Sequence, residues 1–406
     1  MKALDFIPEA IKTRGTYLEK IKPYIGKEII KVLTGQRRVG KSYLLYLIMN
    51  YILSEDKKAN IVYINKEQTA FKHISTDMDL TAYISTKKQN QKNYLFIDEV
   101  QEIESFETAL RSLLAEGKWD IWCTGSNASF LSGDITGKLS GRFIEIPVFS
   151  LSYSEFLDFN ALENNEQSLD KYLRYGGLPF LRHLDLNDAQ VFEYLKGIYA
   201  TILFKDVINR FNIRNTHFLE RLVLFAADNT GSLISGKKIS DYLKSQQLNI
   251  PTNLVLEYLK HLSDAYMLRH IKRSDLQGKR FFEVGEKYYF NDLGLRNSIT
   301  GYKPNDIGKV IENAVLLHLL KSGYKVFTGA EKDKEIDFVA FKTNQKLYIQ
   351  VAYLIPDNKV FEREFGNLLL VKDNYPKYVV SHDRIKMDNY NGIEHLRLDE
   401  FLLKDI

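Results

Sequence analysis

From the N-terminus to Phe149, short apolar runs alternate with longer stretches of helical period, the rhythm of strands interleaved with helices. Ile29-Ile30-Lys31-Val32-Leu33-Thr34 is an apolar run of strand length, and Tyr43-Leu44-Leu45-Tyr46-Leu47-Ile48-Met49 behind it predicts a helix. Tyr94–Asp98, Asp120–Thr124 and Phe143–Val148 repeat the strand signal, as strands buried in a parallel sheet do. Beyond Ser150 the period turns helical to about Phe211, with Tyr153, Phe156 and Leu157 spaced as one buried face. Gly176-Gly177-Leu178-Pro179 breaks that stretch, and Tyr194–Tyr199 resumes it.

From His217 to about Asn291 three helical stretches are followed by a hairpin. The helices cover Leu219–Ala226, Lys238–Lys244, and a third opening at Pro251, with Leu256, Leu259 and Leu262 on one face. The hairpin runs through Met267–Arg273, a turn at Asp275-Leu276-Gln277-Gly278, and Lys279–Phe282. That order predicts a winged helix-turn-helix. The last hundred residues predict a small α/β domain: an amphipathic helix at Ile311–Leu320, then strands at Tyr324–Phe327, Glu335–Ala340 and Leu347–Ala352.

Composition narrows this only a little. A chain of 406 residues accommodates two to four domains. No apolar run is long enough to span a bilayer, and Met1–Glu9 has no secretory pattern, so the expectation is a cytoplasmic protein with no membrane association. The single cysteine, Cys123, excludes an internal disulfide and a Cys-based metal cluster. The eight histidines have no H-E-x-x-H spacing, and a net charge of +4 is too small to argue for nucleic acid by itself.

The chemistry concentrates between the first predicted strand and helix. Gly35-Gln36-Arg37-Arg38-Val39-Gly40-Lys41-Ser42 fits the phosphate-loop pattern G-x-x-x-x-G-K-S/T at every fixed position. Glycines let the backbone turn its N–H groups inward, and the helix N-terminus adds positive potential for a polyphosphate. ATP is the expected ligand: Lys41 would reach its β- and γ-phosphates, and the Ser42 hydroxyl would take a Mg²⁺ position. Tyr94-Leu95-Phe96-Ile97-Asp98-Glu99 has the form of a Walker B strand, with Asp98 for Mg²⁺ and Glu99 to orient and polarise the attacking water.

Two further positions carry paired readings. Ser126 or Asn127, after the strand Asp120–Thr124, either touches the γ-phosphate or attacking water or caps the next helix; Asn127 is the preferred sensor. Arg142, just before Phe143–Val148, is either a finger for a neighbouring subunit's γ-phosphate or part of a surface salt bridge. Arg111 and Arg174 compete for the finger role, while Arg37 and Arg38 are expected to brace the loop.

Together, Lys31–Ser42, Phe96–Gln101, Thr124–Asn127, Leu139–Arg142 and Tyr175–Pro179 resemble a large prokaryotic family of AAA-type ATPases, similar to the archaeal ATPases, with a C-terminal domain of unknown function. The similarity runs from about Tyr17 onward. It implies nucleotide work for Lys41, Ser42, Asp98 and Glu99, with no departure there. The expected fold is thus α/β: a P-loop NTPase domain with a parallel sheet (1–149), a helical lid over the nucleotide with Arg174 and Arg182 as phosphate contacts (150–215), a winged helix (216–300) and a C-terminal α/β domain (301–406).

The tail itself resembles the PD-(D/E)xK nuclease fold. Asp337 matches that motif's first acid and Glu312 its helix acid, but Gln350-Val351-Ala352 stands where acid-x-Lys belongs. An amide is a poor Mg²⁺ ligand and an alanine carries no charge, so a degenerate nuclease site is expected, with Lys346 or Lys359 as spatial substitutes for the lysine. Arg269, Lys272, Arg273, Lys279 and Arg280 gather positive charge on the wing; of these, Lys272, Arg273, Lys279 and Arg280 are the candidate DNA contacts. The third helix opposes that reading, since its outer face includes Glu257 and Asp264 beside Lys260, and a protein partner or a second copy of the chain is the competing ligand. The expected function is a Mg²⁺-dependent ATPase coupling hydrolysis to movement of the C-terminal region. A switch or scaffold with little turnover and an ATP-gated nuclease are the alternatives.

Overall fold

The computed structural model describes residues 7–8, 10–128, 137–139, 141–275, 281–331, 334–384, 386 and 389–406. The chain forms two compact units, Met1–Val148 and Phe149–Ile406. The first is built on five parallel strands, β1 (Ile30–Thr34), β2 (Asn60–Asn65), β3 (Asn93–Asp98), β4 (Trp119–Gly125) and β5 (Phe143–Pro147), in the order β2-β3-β4-β1-β5. Register places Val32 between Cys123 and Glu145, so β4 lies between the strand that feeds the phosphate loop and β3. β2 is the strand the apolar pattern did not single out; its ends are polar and only Val62, Tyr63 and Ile64 are buried.

Helices follow the strands because local signals start and stop them. α1 (Gly15–Ile21) precedes the sheet, and α2 (Lys41–Glu55) follows the loop. α3 (Asp77–Ser85) opens on a capping box, with Thr76 accepting from Asp79 N and the Asp79 carboxylate accepting from Thr76 N. α4 (Phe106–Ala115) turns Phe106, Ala109, Leu110 and Leu113 inward at helical spacing, against Ile97, Ile121 and Cys123 of the sheet. Lys31 is buried in this unit because its ammonium meets Asp120 Oδ1 at 2.7 Å and lies 5.2 Å from the Trp122 ring.

The second unit begins with α5 (Tyr153–Phe159), α6 (Glu166–Tyr175) and α7 (Asp188–Thr201), the last running on as a π-helical segment, Ile202–Asn209. α8 (Thr216–Asp228), α9 (Gly236–Ser245) and α10 (Thr252–Asp264) then lead to the hairpin β7 (Leu268–Asp275) and β8 (Phe281–Phe290), with the two-residue β6 (Leu233–Ile234) antiparallel to β8. In α10 the buried set is Val255, Tyr258, Leu259 and Leu262, while Leu256 is 49% exposed. The expectation that Leu256 shares the inner face therefore fails: i, i+3, i+4, i+7 counts from Val255, and Leu256 is turned about 100° away from it.

After α11 (Leu293–Thr300) and α12 (Ile307–Lys321) come β9 (Lys325–Glu331), β10 (Lys334–Lys342), β11 (Gln345–Ala352), α13 (Asn358–Leu369), β12 (Lys377–Ser381), β13 (Ile393–Arg397) and α14 (Leu398–Leu403). The hairpin and the tail share one eight-stranded sheet, β13-β12-β11-β10-β9-β7-β8-β6. β7 pairs with β9 in parallel, through Arg273↔Thr328 and Ser274↔Gly329, so one edge of the hairpin is already paired. One core joins Tyr153, Phe156, Leu169 and Tyr172 to Ile311, Val315, Phe338, Ile349 and Phe401; the other face of the sheet is covered by Phe365 and Leu368 of α13 against Val339, Tyr348 and Val379.

Candidate functional site

The phosphate loop follows from backbone geometry. Gly35 has φ 146°, and a Cβ there would stand 2.2 Å from Val148 O, so no side chain fits. Arg38 (φ 69°) and Gly40 (φ 95°) are also left-handed, and α2 begins at the next residue. Successive turns of this kind point main-chain N–H groups into the concavity at the positive end of the helix. The buried Lys41 ammonium donates to Gly35 O (2.8 Å) and Gln36 O (3.0 Å), across the loop. Those bonds are to neutral carbonyls, and phosphate oxygens can replace them.

Around the loop, Arg37 Nη1 lies 3.3 Å from Glu67 Oε1, the bracing expected of it, while Arg38 is exposed. Val39 is buried, and its carbonyl accepts from Arg14 Nη1 at 3.1 Å. The Arg14 guanidinium in turn lies 4.4 Å from the Tyr17 ring centroid, tying the segment before β1 to the loop. Gln36 is 2% exposed, and neither polar atom of its amide has a hydrogen-bond partner among the described residues.

At the carboxyl end of β3, Asp98 Oδ1 accepts from Thr124 Oγ1 (2.5 Å) and Oδ2 from Tyr63 OH (3.2 Å). Burial raises its pKa, against hydrogen bonds from Ser42 and Thr124 and the Lys41 charge. The Ser42 hydroxyl and Asp98 carboxylate thus adjoin, two hard oxygen donors of the kind Mg²⁺ takes alongside water and phosphate. Glu99 has φ 59°, and its N–H donates to Thr124 Oγ1 (2.8 Å), so one threonine hydroxyl orders both acids. Glu99 Oε2 accepts from Ser126 Oγ (2.8 Å) and from Gln101 Nε2. Burial works against its ionisation, but the Lys41 ammonium, the Gln101 and Ser126 bonds and Arg37 hold Glu99 below the usual carboxylate range.

Asn127 is buried two residues beyond β4, and Ser126 before it donates to Glu99. Thr124 and Gln101 carried no signal of their own beyond membership of the quoted motifs. Arg142 is exposed, and its carbonyl accepts from Ile30 N (3.0 Å) at the start of β1. Of its competitors, Arg111 Nη1 donates to Lys138 O (3.2 Å), and Arg174 makes a two-point pair with Asp188 (Nε to Oδ1 2.8 Å). Arg182 lies 5.7 Å from the Phe159 ring.

In the second unit, Glu312 of α12, Asp337 of β10 and Gln350 of β11 converge. Asp337 N donates to Gln350 Oε1 (3.3 Å), and Asp337 Oδ2 accepts from Val351 N (2.9 Å). The lysine beside them is Lys287 of β8, which sequence reasoning missed. Lys346 is instead paired with Asp373 (3.2 Å), and Lys359 is exposed on α13. On the hairpin, Lys272 is exposed, Arg269 and Arg273 are half-buried, and Lys279 and Arg280 lie outside the described residues.

The parallel order with β4 between β1 and β3, the loop and the two carboxylates define a nucleotide-binding domain of the AAA type. Residues 27–157 match a family model described as an AAA domain, and residues 166–306 match a domain of unknown function (DUF8612). An uncharacterized protein of Haemophilus influenzae is 34% identical over 403 residues, covering 98% of this chain and 100% of that one. The chain belongs with it to a family of AAA-type ATPases that carries this C-terminal domain of unknown function. An uncharacterized protein of Methanocaldococcus jannaschii is similar at 29% identity, over 91% of this chain and 85% of that one. Among solved structures, a Walker-type ATPase of Pyrococcus abyssi shares the fold, with TM-score 0.51, 16% identity, and coverage of 71% of this chain and 95% of its own. Among the described residues no helix is long and apolar enough to cross a membrane.

Proposed function

We propose that the protein is a cytoplasmic, Mg²⁺-dependent ATPase whose turnover moves the C-terminal unit. The observation that carries the reading is Glu99: a buried carboxylate kept charged by Lys41, Gln101, Ser126 and Arg37, one residue beyond Asp98. Residues 35–42 bind the triphosphate, with Lys41 exchanging its carbonyl partners for phosphate oxygens. Ser42 and Asp98 would hold Mg²⁺, which would supply positive charge to the phosphate groups. Glu99 accepts a hydrogen bond from a water aligned with the γ-phosphorus. As the water oxygen bonds to phosphorus, the bond to the β–γ bridging oxygen breaks, Glu99 takes the proton, and ADP and phosphate leave.

Steady-state phosphate release tests this. Glu99→Gln is expected to fall by about 10²–10⁴-fold with ATP affinity kept, and Lys41→Ala to lose the calorimetric heat of ATP binding. Equal rates for the wild type and Glu99→Gln, both near background, would reject hydrolysis. The same assay reads Arg142→Ala: lost turnover with retained affinity supports a finger acting on a second copy of the chain. Asn127, buried next to Ser126, is retained as a sensor candidate.

A second reading, a nucleotide-controlled switch with slow turnover, is favoured by two contacts: Gln101 and Ser126 both hold Glu99 Oε2, engaging one of the two oxygens that could accept from a water. Faster hydrolysis in Gln101→Ala than in the wild type would support it. DNA is the proposed macromolecular partner, through exposed Lys272 with Arg273, Lys279 and Arg280. Duplex affinity should then fall steeply with salt, and Lys272→Ala should reduce that slope by about one; binding indifferent to salt would point to a protein partner instead.

A further inference from the structure

One convergence of charge in the second unit is not used by the nucleotide chemistry. Lys287 is only 4% exposed, and its ammonium stands 2.8 Å from Glu335 Oε1, 3.1 Å from Glu312 Oε1 and 3.5 Å from Asp337 Oδ1. An ammonium has three donors, and here three carboxylates from α12 and β10 face them. Two further donors reach these acids. Tyr289, two residues along β8 and on the same face, donates to Glu312 Oε1 (2.6 Å), and Val351 N donates to Asp337 Oδ2 (2.9 Å). Gly231 closes the cluster from the turn before β6: with φ 77°, its Cβ position would lie 3.0 Å from Glu312 Oε2.

Burial, opposed by Lys287, raises the pKa of both Glu312 and Asp337, with Asp337 raising Glu312 further and Glu335 raising Asp337; the combined pull of all three carboxylates raises Lys287 despite its own burial. The charged groups facing the cluster from elsewhere are Glu364 of α13, which bonds to the Gln350 amide, and the exposed Arg363 paired with Glu364. No second cation reaches the three carboxylates among the described residues, so Lys287 is the counter-charge they share.

We propose that Lys287 is a tethered cation. Its ammonium fills the place among Glu312, Glu335 and Asp337 that a divalent ion would take, and by doing so pins β8 to β10 and α12. A metal ion seated on the same oxygens would have to approach the ammonium closely, and like charges at that range repel strongly. Gln350 adds to the exclusion, because its amide oxygen is already engaged by Asp337 N and its charge is zero. The nuclease-like arrangement is thereby turned into an internal clasp.

The test uses the full chain without nucleotide, stripped with EDTA, and Mn²⁺ as the probe, followed by electron paramagnetic resonance and by thermal unfolding. Lys287→Met is expected to gain one Mn²⁺ site at least about tenfold tighter than any in the wild type. Adding Asp337→Asn should abolish it, and Mn²⁺ should raise the Tm of Lys287→Met but not of the wild type. Equal Mn²⁺ affinity in the wild type and Lys287→Met overturns the proposal. So does Mn²⁺-dependent duplex cleavage by the wild type that Lys287→Met removes, because Lys287 would then serve catalysis beside a metal. If Lys287→Met does not fold, the companion variant Lys287→Met/Glu312→Gln/Glu335→Gln must recover folding; failure of that variant also overturns it.

Discussion

Each unit buries a lysine beside acids, and the two lysines are held in different ways. In the first unit the Lys41 ammonium rests on the carbonyls of Gly35 and Gln36, with Glu99 and Asp98 acting on it by charge. In the second, the Lys287 ammonium is ringed by Glu312, Glu335 and Asp337. A carbonyl is a partner that an anionic ligand outcompetes. A carboxylate in a low-dielectric setting is not, because removing the ammonium strands a buried charge. The lesson is that a lysine's availability for a ligand is set by the charge of the groups that hold it, more than by its burial.

Replacing both lysines with methionine is the strongest challenge to this contrast. Lys287→Met should cost about 3–5 kcal/mol of stability, read as a lower urea midpoint, because three carboxylates lose their counter-charge. Lys41→Met should cost less than that while abolishing ATP binding, since its bonded partners are neutral carbonyls and Glu99 keeps the Gln101, Ser126 and Arg37 interactions. Similar losses in the two variants would break the comparison.

The acids should also respond to pH with opposite signs. Glu99 has its folded pKa lowered, so its contribution is present above its unfolded value and lost as pH falls through the folded one. Glu312 has its folded pKa raised, so ionising it disfavours the fold as pH climbs above the unfolded value. Urea midpoints at pH 5 and pH 8 read this directly: the change caused by Glu312→Gln should move in favour of glutamine at the higher pH. A change that moves the other way would mean that the Lys287 attraction outweighs burial. A smaller effect than the loss of Lys287 is expected at Ser126. Ser126→Ala removes a hydrogen bond worth about 1.5–3 kcal/mol to the charged Glu99, so the acid limb of the kcat–pH profile should shift upward.

How much could be read before the fold was known differs between the two clusters for the same physical reason. Gly35–Ser42 and Tyr94–Glu99 are contiguous: a turn, a helix start and a strand end are local backbone events, so eight or six neighbouring residues specify the donors and acids. The partners that set the state of Glu99 are less legible. Thr124 comes from β4 and Ser126 from just beyond it, and only the order β3-β4-β1 brings them alongside. Asp337 and Glu312 could be named from a motif, yet the cation beside them could not. Lys287 lies on β8, before the predicted tail, and reads in sequence as one more charge on a wing.

Periodicity was similarly sound for what is local. It marked the inner faces of α5 and α10 except at Leu256, and it passed over β2, whose polar ends leave a short apolar centre. Chain order alone thus carried the nucleotide loop, its two acids and the helix–strand rhythm, because backbone conformation and side-chain period are properties of neighbours. The pairing of β7 with β9, the placing of Lys287 among three acids, and the clamp on Glu99 belonged to the folded molecule. They depend on which strands share an edge, and long-range electrostatic partners are chosen only once burial has removed the water that would otherwise solvate them.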